Sequence, residues 1–358
     1  MTLTNIVTDA GTDLWYTRCP VPSATSVAIT RGWLSAEFAD GPIRVRSIGE
    51  SADPNIRLTH YTHQHPALFR EGGVVPPLWA YATTGANALL GIARVSQSQG
   101  FISLRTSGIH SPEQLRGARI ALPNRPTSTV DFSRAVTLQG IVTTLNAAGL
   151  DETAVRLVNV NWDEPFLSLA AGPAQASVYT ARENVRLHSA EVLALVRGEV
   201  DAIFVAGPHG LALAALIDAI PVPGLYHDWE SDRWEGNHLR VLTTSRELLD
   251  TRPDDVAQYV LGILRAAQWA QDHVDETWRI IAAEVGVAEE WAIAAYHPQT
   301  VSRLSPETSE GVVDALQQRS DFLFDRGFLP TPVDVRDWLD PRPLDVGLSA
   351  LGPAGTRP

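Results

Sequence analysis

Along this chain the apolar side chains recur at two different spacings, and the spacing switches several times. From residue 23 to 39 (SATSVAITRGWLSAEFA) they return at helical intervals, and Ser23 stands where a side-chain oxygen caps a first turn. Gly41-Pro42 breaks that pattern, after which Ile43-Arg44-Val45-Arg46-Ser47-Ile48 alternates like a half-buried strand. Pro76-Pro77 precedes a second helical stretch, and Leu89 to Val95 is apolar enough for a buried strand. Residues 111–122 predict a short capped helix, a stop at Gly117 and a strand. Residues 197–205 repeat that order of helix end, glycine and strand. Longer helical patterns occupy 254–273, 275–285 and 306–326. The proline-rich tail from Pro341 onward predicts a surface-draped or frayed end.

Such alternation implies an α/β protein with mainly parallel sheets. At 358 residues the chain exceeds the size of a single core, so two lobes are expected. The order of segments resembles the two-lobed, type II periplasmic-binding-protein fold. In that likeness "ITRGWLSAEFADGPIRV" holds the helix after the first strand, "LRGARIAL" opens the second lobe, and "GEVDAIF" is a later strand of it. The resemblance implies a lobe one of residues 1–107 plus 236–358 and a lobe two of residues 108–235, with a return crossing near 230–242. Each lobe would be a mixed, mainly parallel sheet flanked by helices, with a ligand cleft between them.

Composition narrows the partners. A chain that is 44% hydrophobic and 19% charged is an ordinary folded protein. Its 41 acidic against 28 basic residues give a net charge of −13, which repels phosphate backbones and anionic lipid alike. Neither nucleic acid nor membrane is expected as a partner. No run approaches the ~18 apolar residues of a spanning helix, and Leu211 to Ile217 falls well short. The first residues lack the basic and apolar regions of a secretory signal. A single cysteine excludes an internal disulfide and suits a reducing compartment. The expectation is a cytoplasmic monomer.

Two stretches concentrate reactive side chains. YTRCPVP (16–22) holds the only cysteine, Cys19. LTHYTHQHPALFREGGVVPP (58–77) holds three of the ten histidines, then Arg70, Gly72-Gly73 and Pro76-Pro77. His60, His63, His65 and Cys19 are zinc-ligand types, but helix-borne zinc sites space their histidines by four and Pro66 follows too closely for a helix. On a strand His63 and His65 would share a face, with His60 opposite. No metal is assigned. Thiol chemistry is the other reading: a thiolate needs a nearby cation, and Arg18 in sequence or Arg70 and His60 in space are the candidates. An arginine also presents a planar fork to a two-oxygen anion, and Gly72-Gly73 offers unobstructed backbone N–H groups. Each residue has a plainer role open to it. A lone cysteine is usually a small buried hydrophobe, His60 could be a satisfied core residue, Arg70 a surface or lobe-bridging cation, and the glycine pair a turn.

YTRCPVPSA, followed about forty residues later by HYTHQHPALFREGGVVPPL, resembles the 2'-hydroxybiphenyl-2-sulfinate desulfinase family of bacterial dibenzothiophene desulfurisation. That pattern reads Tyr-Ser-Asn-Cys-Pro-Val-Pro-Asn-Ala, a histidine, an arginine ten residues later and Gly-Gly-x-x-Pro-Pro-Leu; His60, Arg70, Gly72-Gly73 and Pro76-Pro77-Leu78 fall in register with it. Similarity continues through QGFISL (99–104), GEVDAIF (198–204) and RPDDVAQYVLGILRAAQWAQDH (252–273). The resemblance implies cofactor-free, metal-free hydrolysis of an aryl sulfinate to an arene and sulfite. Cys19, His60 and Arg70 would be catalytic, and Gly72, Gly73, Thr17 and Phe132 would bind substrate. Cys19 would serve as nucleophile or as general acid. The chain departs from the pattern at Thr17 (serine), Arg18 (asparagine) and Tyr61-Thr62-His63-Gln64-His65-Pro66 (Phe-Thr-Tyr-Asp-Gln-Pro), and Phe132 falls near a family tryptophan. These departures leave the aryl specificity open. The alternatives are a non-catalytic binding protein for a sulfonate-like anion, and a thiol hydrolase acting on an ester or amide.

Overall fold

The computed structural model describes residues 13–163, 167, 170–227 and 239–351. Two mixed sheets organise them. The first runs β2-β1-β3-β10-β4, from β1 (Leu14–Arg18), β2 (Val45–Ser47), β3 (Leu68–Gly72), β4 (Asn87–Arg94) and β10 (Leu239–Ser245). Its first three strands are mutually parallel, and β10 runs antiparallel to both β3 and β4. The second contains β5 (Gln99–Leu104), β6 (Arg119–Asn124), β7 (Arg156–Asn161), β8 (Ile203–Ala206) and β9 (Ala219–His227). Here β5 lies antiparallel between β8 and β9, β6 pairs in parallel with β7, and a parallel bridge from Ile120 to Ala202 joins the two sets. Each lobe thus has one strand running against the others, and that strand follows a crossing between lobes. This is the two-lobed, type II periplasmic-binding-protein-like fold that the segment order implied.

The strand pairing moves the first crossing ahead of the expected position. QGFISL is β5 of the second sheet, so the chain changes lobe between β4 and β5 rather than after residue 107. The return crossing lies between β9 and β10, in residues outside those described. Every residue of β1, β3 and β10 is buried, because helices cover both faces of the first sheet. Such strands show no polar alternation, which is why sequence patterning passed over β1 and β3.

The helices largely follow the predicted spacing. Residues 23–39 form α1 (Ala24–Thr30) and α2 (Trp33–Glu37), split at Gly32, whose φ of 73° lies in the left-handed region. The Ser23 hydroxyl accepts the Ser26 N–H as anticipated. Further along come α3 (Pro54–Thr62), α4 (Val75–Thr84) and α5 (Phe132–Ala147). Of the proline-rich tail, residues 352–358 lie outside the described residues. The described part is not frayed: Arg342–Leu351 is a helix that buries Leu344. Pro343 falls in its first turn, where a missing N–H goes unneeded. A Cβ at Gly347 would crowd Leu264 (3.0 Å) and Val260 (3.3 Å) on the helix Pro253–Asp272, so glycine allows the two helices to approach closely. Among the described residues, no helix is long and apolar enough to cross a membrane.

Candidate active site

Three neighbouring pieces of lobe one converge on Cys19. Just past β1, Cys19 donates its N–H to the Glu71 carbonyl (3.0 Å), so the thiol emerges in register with the end of β3. Side chains alternate along β1, which sends Thr17 and Cys19 to one face and Arg18 to the other. Arg18 accordingly forms a buried ion pair with Glu284 (2.8 Å) and donates to the Gln175 carbonyl. Of the candidate cations for the thiol, Arg18 is turned away by that parity.

The cation at the sulfur is Arg70. Its Nη2 donates to Cys19 Sγ at 3.1 Å, Nη1 to the Gly73 carbonyl at 3.0 Å and Nε to the His60 carbonyl at 3.2 Å. Two backbone carbonyls therefore aim the guanidinium, and two of its five N–H groups remain for a ligand. Gly72 lies beneath the thiol: a Cβ there would collide with Cys19 Sγ and come within 2.7 Å of Cys19 Cβ. Gly73 lines the cavity, with open space where its Cβ would be.

His60 is carried on a helix, contrary to the reading that Pro66 forbids one. The Asp53 side chain caps α3, Pro54 opens it, and it ends at His63 (φ 54°), before Pro66 can clash. The His60 ring is fully buried. Nδ1 lies 2.8 Å from Thr17 Oγ1, and Nε2 lies 3.0 Å from the Tyr179 hydroxyl and 3.7 Å from Cys19 Sγ. Burial, then the charges of Arg70 and His63, hold His60 well below the ordinary imidazole range, so the ring is neutral. The three histidines diverge: His63 Nε2 meets the Thr243 hydroxyl at 3.4 Å and His65 packs on Trp15.

These groups form one end of a cavity between the lobes. Cys19, Arg70, Gly73 and the start of α4 line it from lobe one, and Phe132, Val136, Tyr179 and Leu187 from lobe two. Phe132 begins α5 and stacks with Tyr61 (6.2 Å between centroids). An adjoining hollow that shares Phe132, Val136, His209 and Arg240 extends the space away from the thiol. Of the seven residues named from sequence, Cys19, Arg70, Gly73 and Phe132 face the cavity. His60 and Thr17 stand behind the thiol, and Gly72 lies under it.

Sequence reasoning missed Tyr179, Arg240 and Arg319, all on the cavity wall. Tyr179 lies 119 residues from His60 and carried no local signal. The arginines did carry one: Arg240 interrupts the buried strand LRVLTTS, and Arg319 sits on the buried stripe of the helix Glu310–Asp325. Burial lowers Arg319 to about 9.

Fold and site together define a two-lobed cleft protein with a thiol, a guanidinium and a neutral imidazole at one end of its cleft. The chain belongs to the NMT1/THI5-like family, whose model matches residues 83–277. Cys19, His60 and Arg70 precede that segment, so the family match speaks to the scaffold. The chain is 26% identical to 2'-hydroxybiphenyl-2-sulfinate desulfinase of Rhodococcus erythropolis, over 94% of this chain and 93% of the enzyme. It is likewise similar to the crystal structure of a cysteine-to-serine variant of DszB bound to biphenyl-2-sulfinic acid, with a TM-score of 0.75 and 25% identity over 94% of this chain and 99% of that one. The periplasmic aliphatic sulfonate-binding protein SsuA of Escherichia coli shares the fold, at a TM-score of 0.60 and 13% identity over 92% of each chain.

Proposed function

We propose that the protein cleaves the C–S bond of an aromatic sulfinate with water, releasing the arene and sulfite, without a cofactor. The observation that carries this reading is the placement of Cys19 Sγ between Arg70 Nη2 (3.1 Å) and His60 Nε2 (3.7 Å), at the mouth of an apolar cavity. The relatives named as desulfinases supply the substrate class.

A sulfinate has a two-oxygen anionic head on a flat apolar body. Arg70 offers its remaining N–H groups to the head, and the N-terminus of α4, opening beside Gly73, adds positive potential there. The rings lie against Phe132, Val136 and Leu187. Two routes balance from this geometry. In one, the Cys19 thiolate attacks sulfur, the C–S bond breaks, the ring carbon takes a proton, and water hydrolyses the thiosulfonate-like S–SO2 adduct to the thiol and bisulfite. In the other, the thiol protonates the ring carbon, sulfur dioxide departs, and water hydrates it. A covalent Cys19 adduct trapped by mass spectrometry during single turnover identifies the first route; its absence identifies the second.

The deciding assay incubates the protein with biphenyl-2-sulfinate and with ring-opened benzothiophene sulfinates and measures sulfite. Release is expected from the wild type, and a loss of at least ~1000-fold in Cys19→Ser, because the reacting atom is replaced. Tight anion binding without sulfite would instead identify a binding protein. Undiminished release by Cys19→Ser would exclude the thiol from the chemistry.

A further inference from the structure

Tyr179 reaches His60 from the opposite lobe. It lies between β7 and β8, strands of the second sheet, yet its segment docks on lobe one. Gly172 N–H donates to the Gly49 carbonyl and Gln175 N–H to Glu50 Oε1, each at 2.8 Å, and the Ser47 hydroxyl donates to the Ala176 carbonyl. A Cβ on Gly49 would strike that carbonyl, so the close approach depends on a glycine. The segment delivers the Tyr179 hydroxyl to 3.0 Å from His60 Nε2, nearer than Cys19 Sγ at 3.7 Å. The same hydroxyl lies 3.3 Å from the Tyr61 hydroxyl.

We propose that Tyr179 is a positioning residue for His60, whose hydroxyl reverses its hydrogen bond when His60 takes up the Cys19 proton. With the resting proton of His60 on Nδ1, donated to Thr17 Oγ1, Nε2 is a lone pair that accepts from Tyr179. When the thiol proton moves to Nε2, the products are a thiolate and an imidazolium with two N–H groups to satisfy. Thr17 accepts one. Tyr179 accepts the other by turning its own O–H to Tyr61, so no buried donor loses its partner. The groups that face His60 from the surrounding elements are Cys19 beyond β1, Arg70 on β3, Tyr61 on α3, His63 capping its end, and Tyr179 from lobe two; Arg125 acts on Tyr61. Arg70 and His63 oppose a charge on the ring, and burial holds both tyrosines protonated. A hydroxyl that donates to the neutral ring and accepts from the imidazolium is therefore what this buried pair requires. The ring of Tyr179 also packs edge-on against His60, 5.0 Å between centroids, and Tyr179→Phe keeps that packing while removing the oxygen.

This inference rests on reading Cys19 and His60 as a reactive pair, and its test is independent of substrate. Cys19 alkylation by iodoacetamide, followed by mass spectrometry across pH, is compared in wild type, Tyr179→Phe and Tyr61→Phe, alongside kcat and KM for sulfite release. Tyr179→Phe is expected to move the alkylation midpoint up by about one pH unit and to lower kcat about tenfold, with KM within about twofold, for the loss of one hydrogen bond to a charged group. Tyr61→Phe is expected to move it the same way by less. A Tyr179→Phe profile that superimposes on wild type, or a change confined to KM, overturns the role. A Tyr61→Phe profile identical to wild type overturns the reversal. A shifted midpoint in a protein that releases no sulfite leaves this inference standing and removes the desulfinase reading.

Discussion

The two walls of the cleft differ in how their side chains are held. On the lobe-one wall every reactive group is aimed by at least one hydrogen bond: Arg70 by the carbonyls of His60 and Gly73, His60 by Thr17. The lobe-two wall presents Phe132, Val136 and Leu187 to the cavity and sends Tyr179 to the thiol end, while its polar Asn184 and His209 are tied to the Val285 carbonyl. Directional bonds fix angles that chemistry needs, whereas apolar contact fixes only volume. Under the proposed function, chemistry falls to the first wall and ring selection to the second.

The contrast can be broken most severely at Gly72. A methyl group there must push the Cys19 side chain away from Arg70 and His60, so Gly72→Ala is expected to lower kcat/KM by about 100-fold or more, as misplacement by about 1 Å does. A variant that keeps full activity would show that the thiol needs no fixed seat. A smaller effect belongs to the apolar wall. Phe132→Ala removes a stacking and packing surface, and KM for a biaryl sulfinate is expected to rise about tenfold while kcat changes little. Should kcat fall instead with KM steady, Phe132 would belong with the chemistry and the division between walls would fail.

The smallest effect is in stability. Burial, helped for His63 by the charge of Arg70, lowers His63 to about 3 and His65 to about 4. The unfolded chain protonates these rings near pH 6.5 while the folded chain keeps them neutral. Stability is therefore complete above about pH 6.5 and lost progressively as pH falls from there toward 3 or 4. Tm is expected to be flat near pH 7–8 and to drop by a few degrees by about pH 5. His63→Asn, which suits the left-handed backbone at that position, should reduce the drop. Equal drops in both proteins would place the acid sensitivity elsewhere.

Much of the site was legible before the structure, because its parts fall in two short stretches. Cys19 lies in one, His60, Arg70 and the glycine pair in the other, and a motif with internal spacing preserves them together. Arg18 stayed open among the candidate cations because adjacency in sequence says nothing of facing: along a strand neighbours lie on opposite faces, so the residue beside the cysteine is the one turned away. The histidine cluster carried a different ambiguity. Three imidazoles within six positions are ligand types at a spacing that does not suit zinc, and a helix end at His63 sends them to three different partners.

By itself the sequence determined the local elements: the cap at Ser23, the glycine stops and the long amphipathic helices, all set by backbone preference and side-chain period over a few residues. It also carried the pairing of a thiol with an arginine and a histidine. Only the tertiary structure decided that QGFISL crosses into the second sheet, that Arg70 attends the thiol while Arg18 pairs with Glu284, and that Tyr179 closes over His60 from the other lobe. Those outcomes depend on how distant backbone segments approach one another. Neither period nor propensity encodes such approaches, because each reports only what a few consecutive residues prefer.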